Sequence, residues 1–532
     1  MKKRPSWVNK LGWQELALIG LVLFMAVSHL AYVYLSRQYP VWDENHYMTI
    51  AVGFYDLFHK SISTIFRQIL TLSDYRQPLF GFILSLPFLV SGTDHAYKIS
   101  LLTNGLFYLG SIVGVYFLAR QYFSKTSSLL AAVIFAWSGK TLYYLHYTYS
   151  ETAVTTWIVW ATLFIVQSHY LTKRKYVILA ALMTAFAVLT RWIAMPFLVC
   201  QTAVCFLGAV YIFCKQSKQR KLILLNVFLF IVIAVIFPIL VYYYPNFKSF
   251  SDYISRNRAN EVNWVIEYKF AEMVNTFSVR SIMYYFNIIS QNTIFLFIPF
   301  LLGILVALRY VKKYFCPLIF FFGGYGFLTF FILWKEDRTI VPIYPAVAIL
   351  SVVIFDHIRQ RLIRTIVLIM VAVFAVLSFF GASWGAGPMG HRGLKDVVLP
   401  AFIHHPRRIY LTPQVWKPNP EYVNVHLIIN AIENDKKTSQ KSILVKLFTF
   451  EPVDNALNSI LLYEKRDLVT LVTIAKPADT MSSDEYGIVE KADYLLTKGE
   501  PLPAALTAHV FLLSKILVPI DGTTMYLYSR GL

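Results

Sequence analysis

Six ionisable residues, each at the edge of an apolar run, carry most of the chemistry open to this sequence. Asp43 and Glu44 stand together in Trp42-Asp43-Glu44, and Glu151 closes Tyr147-Thr148-Tyr149-Ser150-Glu151. Arg76 stands in Tyr75-Arg76-Gln77-Pro78-Leu79, Arg191 in Leu189-Thr190-Arg191-Trp192 and Arg338 in Lys335-Glu336-Asp337-Arg338. Each has a plain structural use: Asp43 and Glu151 can cap helices, Glu44 suits a helix N-terminus, and an arginine at a membrane edge can snorkel. Together they also divide the labour of one reaction. A carboxylate can take the proton of an acceptor hydroxyl, worth roughly 10²–10⁴-fold. Arginines at headgroup level can hold a phosphate and stabilise it as it departs. A sugar carried on a lipid phosphate meets both halves, through an oxocarbenium-like transition state. Such a donor needs no nucleotide-binding loop, and no glycine-rich phosphate loop follows any strand-like run here.

The elements that must position these residues are long and apolar. A membrane-spanning helix needs roughly 20 apolar residues. Candidate spans cover 15–35, 98–119, 127–146, 152–171, 176–190, 192–213, 222–243, 293–309, 315–333, 340–356 and 362–382, eleven in all. A shorter run, 78–92, contains Pro87 and ends at Gly92. If it does not cross, the loops on one side collect 19 Lys and Arg residues, among them Lys173, Arg174, Lys175, Lys218, Lys312 and Lys313. The positive-inside rule then predicts a cytoplasmic N-terminus, an uncleaved first span and an outer C-terminus. Outside lie the loops 36–97 and 244–292 and the tail 383–532, with residues 1–382 forming the membrane domain.

Residues 44–58 read as a surface helix, because Tyr47, Ile50, Ala51, Phe54 and Phe58 make one apolar stripe. Residues 250–276 read in the same way. The tail reads as a small α/β domain with a largely parallel sheet: helices over 422–434 and 453–464, strands over 442–450, 468–475, 492–497, 511–518 and 524–529. The tyrosines 143, 144, 147 and 149 read as an interfacial aromatic belt, and the spans as nearly free of ionisable groups.

Composition excludes the common alternatives. Of 532 residues, 57% are hydrophobic and only 15% charged, against roughly 25% in ordinary soluble domains. A water-soluble enzyme cannot hide that surface, and a disordered chain would not be so apolar. The net charge of +20 lies almost wholly before Ser383, between the apolar runs. That is the pattern of orientation signals, so no nucleic-acid partner is expected. The four cysteines sit in or at the end of apolar runs and suggest neither a disulfide framework nor a zinc site. No metal and no cofactor is expected, although the Asp43-Glu44 pair is a place where a divalent cation could bind. The absence of any Asn-x-Ser/Thr sequon fits a bacterial inner membrane.

At these residues the chain resembles the C-type membrane glycosyltransferases, in particular the protein O-mannosyltransferases and the lipid A aminoarabinose transferases. The shared pattern is an acidic pair followed by Tyr47 and Ala51, then Arg76-Gln77-Pro78-Leu79 and an apolar run ending at Gly92. A second acid, Glu151, a Thr190-Arg191 step, and Arg338 before Pro342 and Pro345 complete it. Gln77 stands where the pattern has Pro, and Thr339 where many relatives have Tyr. The resemblance covers residues 14–356 and implies a polytopic helical membrane enzyme that uses a polyprenyl-phosphate sugar and inverts the anomeric centre. It implies Asp43 as base with Glu44 as its neighbour, Glu151 orienting acceptor or sugar, and Arg76, Arg191 and Arg338 holding the donor phosphate. The acceptor would be a protein, a lipid or a glycan. The rival readings are a lipid-linked glycan polymerase or ligase, a transporter or flippase for a lipid-linked sugar, and an inactive binding partner.

Overall fold

In the computed structural model the described residues are 12–36, 40, 43–72, 75–256, 276–293, 296–332, 338–358, 360–384, 397–399, 407–409, 424–435, 442–448, 457, 468–474, 482–500, 502, 510–518 and 523–530. The chain divides into two compact units: one of 1–32, 60–80 and 101–417, the other of 33–59, 81–100 and 418–532.

A helix lies under each of the eleven apolar runs. In chain order the helices are α1 (Trp13–Leu35), α2 (Asp43–Phe58), α3 (Ile62–Gln68), α4 (Leu79–Ser91), α5 (Ala96–Ala119), α6 (Lys125–Ala136), α7 (Gly139–Leu145), α8 (Glu151–Gln167) and α9 (Arg174–Thr190). They continue with α10 (Ala194–Lys215), α11 (Arg220–Ile231), α12 (Val279–Thr293), α13 (Phe297–Arg309), α14 (Val311–Phe331), α15 (Tyr344–His357) and α16 (Arg361–Trp384). Among the described residues six helices are long and apolar enough to cross a membrane, or seven if the bent pair α6–α7 counts as one. That pair bends by 61° at the Trp137-Ser138-Gly139 step. After α11 the chain continues as π-helical turns over Val232–Ile236 and Ile239–Tyr243, on either side of Pro238, whose missing N–H cannot support a regular α-helical ladder.

The packing is that of helices in lipid. Only 17% of the Leu362–Phe380 stretch is buried, and 28% of the Ala194–Lys215 stretch. Val199, Leu207, Leu224, Phe228 and Ile369 are among the large apolar side chains left exposed. In water that surface would be unsupportable; against hydrocarbon it costs nothing. The first unit's core gathers Ile112, Ile158, Phe197, Phe300, Tyr344 and Ile349 from five helices. Close approach sets some pairs: a Cβ on Gly303 of α13 would lie 1.9 Å from the carbonyl oxygen of Leu350 on α15. This unit also holds a short antiparallel pair, Val397–Leu399 with Arg407–Ile409, which the sequence reading left out.

In the second unit, α2 buries Tyr47, Ile50, Ala51 and Phe54, the expected stripe, while Phe58 is only half-buried. Its tail forms a five-stranded sheet of Ser442–Lys446, Val469–Thr473, Tyr494–Lys498, Val510–Leu517 and Thr524–Arg530. In the order of the sheet, Val469–Thr473 is followed by Ser442–Lys446, Tyr494–Lys498, Thr524–Arg530 and Val510–Leu517. The first three are parallel, whereas Thr524–Arg530 runs antiparallel to both its neighbours. The sheet is therefore mixed, not largely parallel. The last two strands are joined by a hairpin, which can only pair antiparallel. Val425, Ile428, Ile429 and Ile432 form the buried stripe of helix Val425–Asp435. A further helix, Ser483–Glu490, starts at a capping box of Ser482 and Glu485. The expected helix 453–464 lies almost wholly outside the described residues, as does most of 250–276.

Candidate active site

Glu151 is the first residue of α8, where the helix dipole favours a negative charge, and it is only 2% exposed. Arg191, the residue that ends α9, donates from Nη1 to Glu151 Oε1. Extended backbone at Arg191 turns its side chain out of the helical path. Arg338 Nε lies 3.9 Å from the same oxygen, so residues 151, 191 and 338 meet at one point. Glu151 Oε2 is buried and has no hydrogen-bond partner among the described residues. Among these three side chains two guanidinium groups converge on one carboxylate, the residue types that hold a phosphate.

The tyrosines of residues 143–149 line this neighbourhood. Tyr144 and Tyr149 are buried and pack with Val341, Tyr143 and Tyr147. They therefore form a small core of their own and not the surface belt expected from sequence. The Arg338 guanidinium sits 5.8 Å above the Tyr149 ring. Asn104 of α5 holds the turn that precedes Glu151, its amide donating to the carbonyls of Tyr144 at 2.8 Å and Tyr147 at 2.7 Å. Lys140 of α7 is only 3% exposed, with its ammonium 5.1 Å from the Tyr143 ring centre and 5.4 Å from that of Tyr144. A buried lysine inside the 127–146 run departs from the expectation of spans free of ionisable groups, as do the buried imidazoles of His29 and His146. The signal for Lys140 was the Ser138-Gly139 break beside it, which lets the helix bend there.

Arg76 is positioned by different contacts. Its guanidinium lies 5.5 Å from the Tyr75 ring, which stacks on Tyr253 at 4.4 Å. Asn246 donates to the Leu70 carbonyl at 2.6 Å and so anchors the segment that leads to it.

Asp43 and Glu44 open α2 in the second unit, at the end where the dipole favours them. Asp43 is half-buried. Glu44 is fully buried, and Tyr97 donates its hydroxyl to Glu44 Oε1 at 2.9 Å. Tyr97 is a site residue that sequence reasoning missed; it lies 53 positions from its partner, and no local pattern links the two. Among the described residues no three His, Cys, Asp or Glu side chains come together to hold a metal ion.

By sequence, no protein-family model and no curated protein matches the chain. Its fold, however, matches solved structures along nearly its whole length. ArnT from Cupriavidus metallidurans bound to undecaprenyl phosphate superposes with a TM-score of 0.54 at 15% identity, over 96% of this chain and 97% of that one. The apo form of the same protein gives 0.55 at 14% identity, over 96% and 98%. The Archaeoglobus fulgidus oligosaccharyltransferase in complex with Zn and sulfate gives 0.51 at 12%, over 90% of this chain and 68% of that one. The chain thus shares its fold with these solved structures, the likeness expected from its motifs.

Proposed function

We propose that this protein is a membrane glycosyltransferase that moves a sugar from a polyprenyl-phosphate donor to an acceptor hydroxyl on a protein, lipid or glycan. The observation that carries this reading is the buried Glu151 carboxylate held by Arg191 and Arg338. It sits in a fold shared with an enzyme solved with undecaprenyl phosphate bound.

The reaction is a single displacement with inversion. The acceptor oxygen bonds to the anomeric carbon, the bond from that carbon to the phosphate oxygen breaks, and polyprenyl phosphate leaves. Asp43 accepts the acceptor's proton. Glu44, fixed by Tyr97, keeps its neighbour's end of α2 in place. Glu151 orients acceptor or sugar, and its two arginines, with Arg76, stabilise the charge gathering on the phosphate.

In this reading all eleven helical runs cross an inner membrane, with α4 at the surface. The N-terminus is cytoplasmic, and the domain 383–532 lies on the outer face with the chemistry. The distribution of lysine and arginine between the runs supports that orientation. A flippase would need a polar groove along several spans, whereas the six candidate site residues stand at the edges of the apolar runs.

The test is to reconstitute the full chain in nanodiscs with a panel of polyprenyl-phosphate sugars and candidate acceptors, and to measure free polyprenyl phosphate. Release from one donor is expected. Release from none, together with failure to bind polyprenyl phosphate, contradicts the proposal.

A further inference from the structure

A cavity lies at the other end of α8 from Glu151. From Glu151 the helix runs 17 residues to Gln167, about 25 Å along its axis. There a cavity of about 260 Å³ opens among α8, α10 and α14. Three consecutive residues after α8, His169, Tyr170 and Leu171, have φ of 47°, 57° and 63°. That left-handed turn brings His169 and Tyr170 into the wall. The Tyr170 ring seats against Gly208, where a Cβ would come within 2.0 Å of it.

The lining sorts by chemistry. Lys312 and Lys313, at the start of α14, both belong to the wall. Lys313 is partly matched by Asp356 at 3.8 Å, so positive charge is in surplus. Val204, Phe315 and Ile319 supply apolar surface. Gln201, 3% exposed, donates its amide to the Phe197 carbonyl at 2.7 Å, while its Oε1 has no partner among the described residues. The Tyr122 hydroxyl is buried beside the Cys316 thiol, its hydrogen-bonding neighbour in the wall. A phosphodiester alone cannot satisfy a carbonyl oxygen, because it carries no O–H to donate; a headgroup hydroxyl can.

The geometry points to a binding site for an anionic lipid whose phosphate carries a polyol, glycerol being the simplest. The phosphate meets Lys312 and Lys313, a headgroup hydroxyl donates to Gln201 Oε1, and an acyl chain follows Val204, Phe315 and Ile319. Basic pockets between helices on the cytoplasmic side suit such headgroups, and the orientation above puts this end there. The site is separate from Glu151 and takes no part in the transfer.

The test is native mass spectrometry of the delipidated full chain, titrated with phosphatidylglycerol, phosphatidylcholine or glycerol 3-phosphate. One phosphatidylglycerol should be retained per chain, with neither of the other probes retained. Retention should fall about tenfold in Lys312→Ala and in Gln201→Leu, and be lost in Val204→Trp, which fills the cavity and keeps every polar group. Thermal midpoints identify variants that stay folded. Equal retention by wild type, Lys312→Ala and Val204→Trp would overturn the site. So would equal retention of phosphatidylcholine, or of glycerol 3-phosphate. The readout is independent of sugar transfer, so it stands or falls apart from the proposed reaction.

Discussion

Burying a carboxylate costs several kcal/mol unless cations meet it, and Glu151, 2% exposed, is met by Arg191 and Arg338. Removing one partner should therefore cost far more than cutting a surface ion pair. Arg191→Ala is expected to lower stability by about 3–5 kcal/mol, read as a fall in the thermal midpoint of the detergent-solubilised protein. The double variant Arg191→Ala/Glu151→Gln should recover part of that loss, since no unpaired charge is left buried. Tyr97→Phe removes the hydroxyl that binds Glu44 and should cost about 1–3 kcal/mol, with reduced turnover in the transfer assay. Asp43, Glu44, Glu151, Arg76, Arg191 and Arg338 were legible in the sequence because charged residues at the ends of apolar runs are conspicuous. Their grouping was not legible. That Arg191 and Arg338 meet at Glu151 depends on where α8, α9 and the turn before α15 end in space, and Tyr97 and Asn104 act over 53 and 43 residues of separation.

At the scale of elements, helix contact decides what each position tolerates. Gly303→Ala drives a methyl into the Leu350 carbonyl and should separate α13 from α15, lowering the thermal midpoint. Gly20→Ala, with nothing within 4 Å of the added carbon, should be neutral or stabilising by up to about 1 kcal/mol. Unchanged stability in Gly303→Ala would mean that these helices pack differently. The apolar runs foretold the helices well, because hydrocarbon selects for long uninterrupted apolarity. They did not foretell the 61° bend between α6 and α7, which Ser138 and Gly139 permit but do not impose, nor the burial of Lys140 beyond it. The five strands of the tail's larger sheet were readable from alternation and β-branched content, while the short pair Val397–Leu399 and Arg407–Ile409 was not. The antiparallel last pair was not, because strand direction is set by connection and not by composition.

For the whole molecule, charge and fold point the same way. The basic residues between the helices predict that residue 218 faces the cytoplasm and residue 484 the outside. With the four native cysteines replaced by serine, Asp484→Cys should react with an impermeant maleimide on intact cells, and Lys218→Cys only after permeabilisation; the reverse would invert the topology. The central claim is that a lipid-phosphate sugar is cleaved with Asp43 as the base. Its most direct measurement is the rate of free polyprenyl phosphate release in nanodiscs, from the donor that supports turnover, with Asp43→Asn beside wild type. Asp94→Asn, which alters an exposed carboxylate, serves as the control. The account predicts release by wild type and Asp94→Asn, and a loss of roughly 10²–10⁴-fold in Asp43→Asn. Release by a folded Asp43→Asn protein at the wild-type rate would contradict it.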